Sequence, residues 1–255
     1  MQVALIQAPL FWESPKLNRS YFDIQIQNLP KETHLVVLPE LFTSGFTMRP
    51  AAVAETMEGD IVNWMRTTAR KHNLALTGSL VIFEKGQYYN RLLFVFPNGA
   101  LQFYDKRHLF TLAGEHKEYA PGRQKLIVHY LGWRLCPLIC YDLRFPVFSR
   151  YNEDYEVLIY VANWPKSRVN AWDSLLKARA IENMCYTIGV NRIGEDHNQQ
   201  EYNGHSQVSD FLGNYLIEPQ EKEGVYITTL NKNTLLETRQ KFGFLNDRDT
   251  FTLTE

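Results

Sequence analysis

The chain has 255 residues, 27 Lys and Arg against 28 Asp and Glu, and a formal net charge of −1. That balance gives no electrostatic footprint for nucleic acid or an anionic membrane surface. The length suits one domain over 1–255, since no Ser/Gly/Pro-rich linker divides it, and the three cysteines, odd in number, fit a reducing cytoplasm better than a disulfide framework.

The opening segment Met1-Gln2-Val3-Ala4-Leu5-Ile6-Gln7 lacks the basic region and long apolar core of a signal peptide. No apolar run approaches the roughly 20 residues of a membrane helix. Val3 to Gln7 reads as a first strand, followed by a helix over Leu17 to Leu29 with Leu17, Tyr21 and Ile24 at helical spacing. Leu35 to Leu38 is a continuous apolar run that ends at Pro39-Glu40. A helix over Ile61 to His72 takes Asp60 as its cap, and strands follow over Leu74 to Val81, Leu92 to Phe96 and Leu101 to Tyr104. Further strands are Leu126 to Tyr130, Trp133 to Ile139, Val157 to Val161 and Thr187 to Asn191. Pro137 inside its run signals an edge, a bulge or a bend. Asn170 is placed to cap a helix over Ala171 to Met184. Ser206 to Asp210, Tyr215 to Ile217 and Val225 to Leu230 complete the strands, and Asn231 to Phe242 is a weaker helix.

Runs such as Leu35-Val36-Val37-Leu38 and Val157-Leu158-Ile159-Tyr160-Val161 show no alternation, which implies burial on both faces. A doubly wound sheet wants close to one helix per strand. About twelve strands to four or five helices, by periodicity, point to two packed sheets with helices on their outer faces.

Three polar groups stand at strand ends, where α/β folds collect their chemistry. Cys140 ends Leu135-Cys136-Pro137-Leu138-Ile139 and opens the polar turn Tyr141-Asp142-Leu143-Arg144, a position for a presented thiol. Cys136 and Cys185 read as small core hydrophobes, and the four-residue gap from Cys136 to Cys140 lacks the ligand pairs of a zinc site. Glu40 follows a buried run, where an apolar setting would suit a general base. Lys106 follows Leu101 to Tyr104.

Together Leu38-Pro39-Glu40-Leu41, Tyr104-Asp105-Lys106-Arg107-His108-Leu109 and Ile139-Cys140-Tyr141-Asp142-Leu143-Arg144-Phe145-Pro146 resemble the Glu–Lys–Cys triad motifs of the nitrilase superfamily of carbon–nitrogen hydrolases. Ser44-Gly45-Phe46, Ala120-Pro121-Gly122 and Ala178-Arg179-Ala180-Ile181-Glu182-Asn183 add to the likeness, and Asp105 departs from it where many members carry arginine. The resemblance implies an α-β-β-α sandwich, a cysteine nucleophile with no metal or organic cofactor, and a homodimer or larger homo-oligomer. It implies a second site glutamate before the Pro-Gly turn, a slot that Glu115 fits best and Glu118 contests. Arg144, four residues past the nucleophile, resembles the omega-amidase branch, in which the matching arginine binds the carboxylate of 2-oxo acid monoamides. Tyr141 would offer a backbone N–H to the oxyanion, and Trp164 would form an aromatic wall. Competing readings are an Arg144–Asp142 ion pair, another hydrolase of the superfamily, a Cys–His hydrolase using His108 or His205, and a non-catalytic scaffold.

Overall fold

The computed structural model describes residues 1–253. One six-stranded sheet runs in the order β14-β1-β2-β3-β4-β5, with β1 Gln2–Gln7, β2 Leu35–Val37, β3 Ala75–Glu84, β4 Gln87–Val95, β5 Leu101–Asp105 and β14 Gly224–Thr229. The second runs β13-β12-β9-β8-β7-β6, with β6 Val128–Tyr130, β7 Trp133–Ile139, β8 Val157–Ala162, β9 Tyr186–Asn191, β12 Ser206–Ser209 and β13 Tyr215–Gln220. Both sheets are mixed: three parallel strands, β1-β2-β3 in one and β7-β8-β9 in the other, carry antiparallel strands at their sides.

The non-alternating runs are explained by the layering. Val3, Leu5, Leu35, Val37, Leu92 and Phe94 face a core shared with the second sheet, while Ala4, Ile6, Val36, Leu38, Leu93 and Val95 face helices α1 Pro15–Gln27 and α2 Asp60–His72. Helix α5 Val169–Asn183 covers the other sheet with Trp172 and Leu176, and α6 Lys232–Phe242 adds Leu235. Each Val, Leu, Ile or Phe among them is worth about 1.5–3 kcal/mol when fully buried. The result is the α-β-β-α sandwich that the strand excess implies. Two one-turn helices, α3 Glu115–Glu118 and α4 Pro146–Ser149, sit in loops.

Some local readings change. Helix α2 has Gly59 at its cap position, and the Glu55 carboxylate accepts from the Ile61 and Val62 amides at 3.0 and 2.8 Å, so Asp60 is the first helical residue rather than the cap. Helix α5 starts at Val169 because the 3-10 turn Lys166–Arg168 feeds directly into it, which leaves Asn170 inside the helix. Strand β4 starts five residues before Leu92, paired from Glu84↔Gln87 through a Lys85-Gly86 turn with φ of 50° and 79°. Pro137 lies past the end of β6, which pairs only with Trp133–Leu135, so β7 has a single ladder partner there. A separate ribbon, β10 Ile193–Glu195 with β11 Glu201–Asn203, has no apolar alternation to announce it.

No described helix is long and apolar enough to cross a membrane.

Candidate active site

Glu40 leaves β2 in a turn whose geometry the next strand dictates. The Leu41 amide donates to Ser79 Oγ at 2.8 Å, the Phe42 amide to Ser79 O at 3.0 Å, and Leu41 takes φ +44°. The turn drives the Glu40 carboxylate inward, fully buried. A buried carboxylate needs partners, and it has three: Lys106 Nζ at 2.8 Å and Asn90 Nδ2 at 2.9 Å on Oε1, and the Asn163 amide at 2.8 Å on Oε2. The Asn163 side chain also donates to the Glu40 main-chain oxygen at 2.6 Å.

Lys106 leaves β5 with its amide on Asn90 O and its carbonyl taken by the Gly122 amide. Its ammonium is buried between Glu40 and Glu115, with both Glu115 oxygens at 3.0 Å. Burial works to lower the lysine pKa, but Glu115 and Glu40 outweigh it and the net shift is upward. Glu115, the first residue of α3, also accepts the Phe110 amide at 2.6 Å, and burial holds its carboxyl above the usual range against the pull of Lys106. Glu118 is exposed and is not part of the lining around Cys140. Glu115 thus stands against Lys106, opposite Glu40 and off the cavity wall.

Cys140 follows β7 with φ +42°, a left-handed conformation that costs a non-glycine residue of order 1 kcal/mol or more. Asp142 holds it. Its carboxylate accepts the Ile139 amide at 2.9 Å and the Tyr104 hydroxyl at 2.8 Å, and also takes the His108 amide at 3.1 Å and His108 Nδ1 at 2.7 Å. One side chain therefore clasps the cysteine turn of the second sheet to the β5 end of the first. The thiol is half-buried, and burial, then the charge of Glu40, push it well above the ordinary cysteine range, with Lys106 pulling the other way. Cys136 and Cys185 are fully buried, and burial raises both, Cys185 to about 12.

Glu40, Lys106 and Cys140 open onto one cavity of ≈ 660 Å³, together with Tyr141, Arg144, Asn163 and Trp164. Arg144 makes no ion pair with Asp142, whose oxygens are committed to Tyr104, His108 and Ile139. Its guanidinium sits 4.9 Å over the ring of Trp164, which is buried and packs against Trp172. His108 stacks on Phe145 at 3.9 Å and is absent from the cavity wall, and His205 is paired with Asp173 at 2.8 Å.

Sequence reasoning missed Asn90, Asp142 and Asn163 as site builders. Asn163 stood in plain view beside Trp164 after a buried strand; Asn90 lay in a stretch too mixed to read. It also missed the β10–β11 ribbon, which supplies Asp196, His197 and Tyr202 to the cavity, with His197 stacked on Trp12 at 5.9 Å.

Residues 2–240 match the family model described as carbon–nitrogen hydrolase. The chain belongs to the carbon–nitrogen hydrolase family. It is therefore an enzyme that hydrolyses carbon–nitrogen bonds, with a nitrilase-type fold. It is 42% identical over 254 residues to omega-amidase YafV of Escherichia coli (strain K12), across 99% of this chain and 98% of that one. It is 30% identical over 252 residues to 2-oxoglutaramate amidase of Bacillus subtilis, across 96% of each. The crystal structure of XC1258 from Xanthomonas campestris, a CN-hydrolase superfamily protein with an arsenic adduct in its active site, matches with TM-score 0.97 and 44% identity. The match covers 100% of this chain and 99% of that one.

Proposed function

We propose that this carbon–nitrogen hydrolase is an omega-amidase, releasing ammonia from the terminal carboxamide of 2-oxo acid monoamides such as 2-oxoglutaramate and 2-oxosuccinamate. The observation that carries the reading is Arg144. It is a guanidinium with no carboxylate partner among the described residues, seated on Trp164 in the same cavity as Cys140. Such a group forms a bidentate fork with a carboxylate. A substrate with a carboxylate at one end and a carboxamide at the other fits between Arg144 and the thiol. The omega-amidase and 2-oxoglutaramate amidase relatives agree with it.

The chemistry follows from the charges. The raised thiol pKa means that Cys140 rests protonated, so attack needs a base within reach. Glu40 takes the thiol proton as sulfur bonds to the carboxamide carbon. The oxyanion is held by the Lys106 ammonium and the Tyr141 backbone N–H, a kind of donor whose loss costs about 10²–10³ in rate. Glu40 returns its proton to the nitrogen, the C–N bond breaks and ammonia leaves. Water then gives a proton to Glu40 and attacks the thioester; collapse breaks the C–S bond, Glu40 returns its proton to the departing sulfur, and the product acid leaves as the carboxylate, its own proton passing to solvent. Glu115, with both oxygens on Lys106, fixes the ammonium rather than the water.

Two variants test the reading. Cys140→Ala should abolish ammonia release while remaining folded; substantial turnover would end the covalent scheme. Arg144→Ala should raise KM for 2-oxoglutaramate about ten- to hundredfold, the scale of one charge-assisted hydrogen bond, and change a short uncharged amide little. Equal losses on both substrates would make Arg144 structural.

A further inference from the structure

Three guanidiniums line the cavity, those of Arg49, Arg144 and Arg168, and they are not equivalent. Arg49 is neutralised by a salt bridge to Glu13. Arg144 and Arg168 have neither a carboxylate partner nor a side-chain hydrogen bond among the described residues. Each rests instead on an aromatic face, Arg144 on Trp164 at 4.9 Å and Arg168 on Phe110 at 5.4 Å. Of the acids in the cavity lining, Glu40 is held by Lys106, Asn90 and Asn163, and Asp196 is spent on its own ribbon, accepting from the Tyr202 hydroxyl at 2.9 Å and the Asn198 and Gln200 amides at 2.8 and 3.1 Å. A loosely solvated surface arginine would explain one such group. It does not explain Arg168, which is half-buried with its carbonyl pinned by the Trp164 indole N–H at 2.8 Å. The same tryptophan therefore carries one arginine on its ring and fixes the backbone of the other.

Two unpaired cations in one cavity repel each other until an anion enters. A carboxylate forked on Arg144 would leave Arg168, in the lining of the same cavity, free for a neighbouring acceptor. On the substrate reading given above, on which this inference rests, we propose that Arg168 reads the substituent next to the carboxylate and so separates 2-oxo amides from 2-amino amides. A 2-oxo oxygen accepts an N–H from Arg168. A 2-ammonium group, as in glutamine, only donates and brings a third positive charge against the first two. Discrimination arises as much from this repulsion as from the new bond.

The test measures kcat/KM by ammonia release for wild type, Arg168→Gln and Arg168→Met on 2-oxoglutaramate, glutaramate and glutamine. Wild type is expected to prefer the 2-oxo amide. Arg168→Gln should lower kcat/KM for 2-oxoglutaramate about ten- to hundredfold, mainly through KM, since one charge-assisted hydrogen bond is lost. Glutaramate, which lacks both substituents, should change by less than about threefold, and the preference for 2-oxoglutaramate over glutamine should shrink by about tenfold or more. The ratio is read within one sample, so partial loss of folded enzyme cancels, and Arg168→Met repeats the reading with the contact to Phe110 kept. An unchanged oxo-to-amino ratio in both variants overturns the role of Arg168. A wild type that hydrolyses a neutral amide but not 2-oxoglutaramate overturns the substrate reading instead.

Discussion

At the scale of single residues, the site is a problem in charge. Two carboxylates, one ammonium and one thiol are packed together, and the structure distributes partners so that no ion is left bare: Lys106 between Glu40 and Glu115, Asn90 reaching both acids at 2.9 and 3.4 Å, and the Asn163 amide on the far oxygen of Glu40. The arrangement makes a prediction with a sign. Burial is the first cause of the raised Cys140 pKa and the negative charge of Glu40 the second. Glu40→Gln removes that charge, so the pH midpoint for alkylation of Cys140 should move down and more thiolate should be present at neutral pH. Turnover should nonetheless fall about 10²–10⁴-fold, because the proton carrier is gone. Alkylation rate against pH, set beside ammonia release, separates the two effects. A variant that keeps its turnover would remove Glu40 from the proton path.

Between elements, the groups of the candidate site are only as well placed as the strand ends that carry them. Lys106 is fixed by a backbone clamp, in which the Gly122 amide donates to Lys106 O at 2.8 Å. A Cβ added at Gly122 would come within 2.0 Å of Asp105 O, a backbone atom that cannot rotate aside. Gly122→Ala should therefore cost about 1–3 kcal/mol, the range for overpacking, and lower kcat by shifting the end of β5. Denaturant titration and steady-state kinetics check both halves; normal kcat in a destabilised variant would show that the clamp serves stability alone. The glycine of Ala120-Pro121-Gly122 was legible in the sequence as part of a motif. Its reason was not, because residues 105 and 122 meet only in the folded chain. The same holds for Asp142, which sequence reading offered as a partner for Arg144. It instead ties the cysteine turn to Tyr104 and His108 across the two sheets.

On the scale of the whole molecule, two six-stranded sheets converge so that β2 and β5 of one and β7 of the other point their ends into one cavity. We propose that the outer helical layer joins copies of the chain. On α5 the exposed Ile181 packs closely against Gly213, the residue after Leu212, which is also exposed. Sedimentation at working concentration should give twice the chain mass or more, and Ile181→Lys should shift it toward the single chain. A wild-type monomer would refute the proposal.

The sequence by itself determined the strands that carry the site and the identity of their last residues. Buried strands are written in short apolar runs, and a Glu, Lys or Cys that ends such a run stands out against them. It also determined the four-layer class, since too many strands for the helices leave two sheets as the solution. Only the tertiary structure put Glu115 rather than Glu118 on Lys106, left Arg144 clear of Asp142, and brought in Asn90, Asn163 and the β10–β11 ribbon. Asn90 and Asn163 meet Glu40 across 50 and 123 positions, and even Glu115 meets Lys106, nine positions away, only where the chain turns back on itself; partner choice of this kind leaves no periodicity in the chain to read.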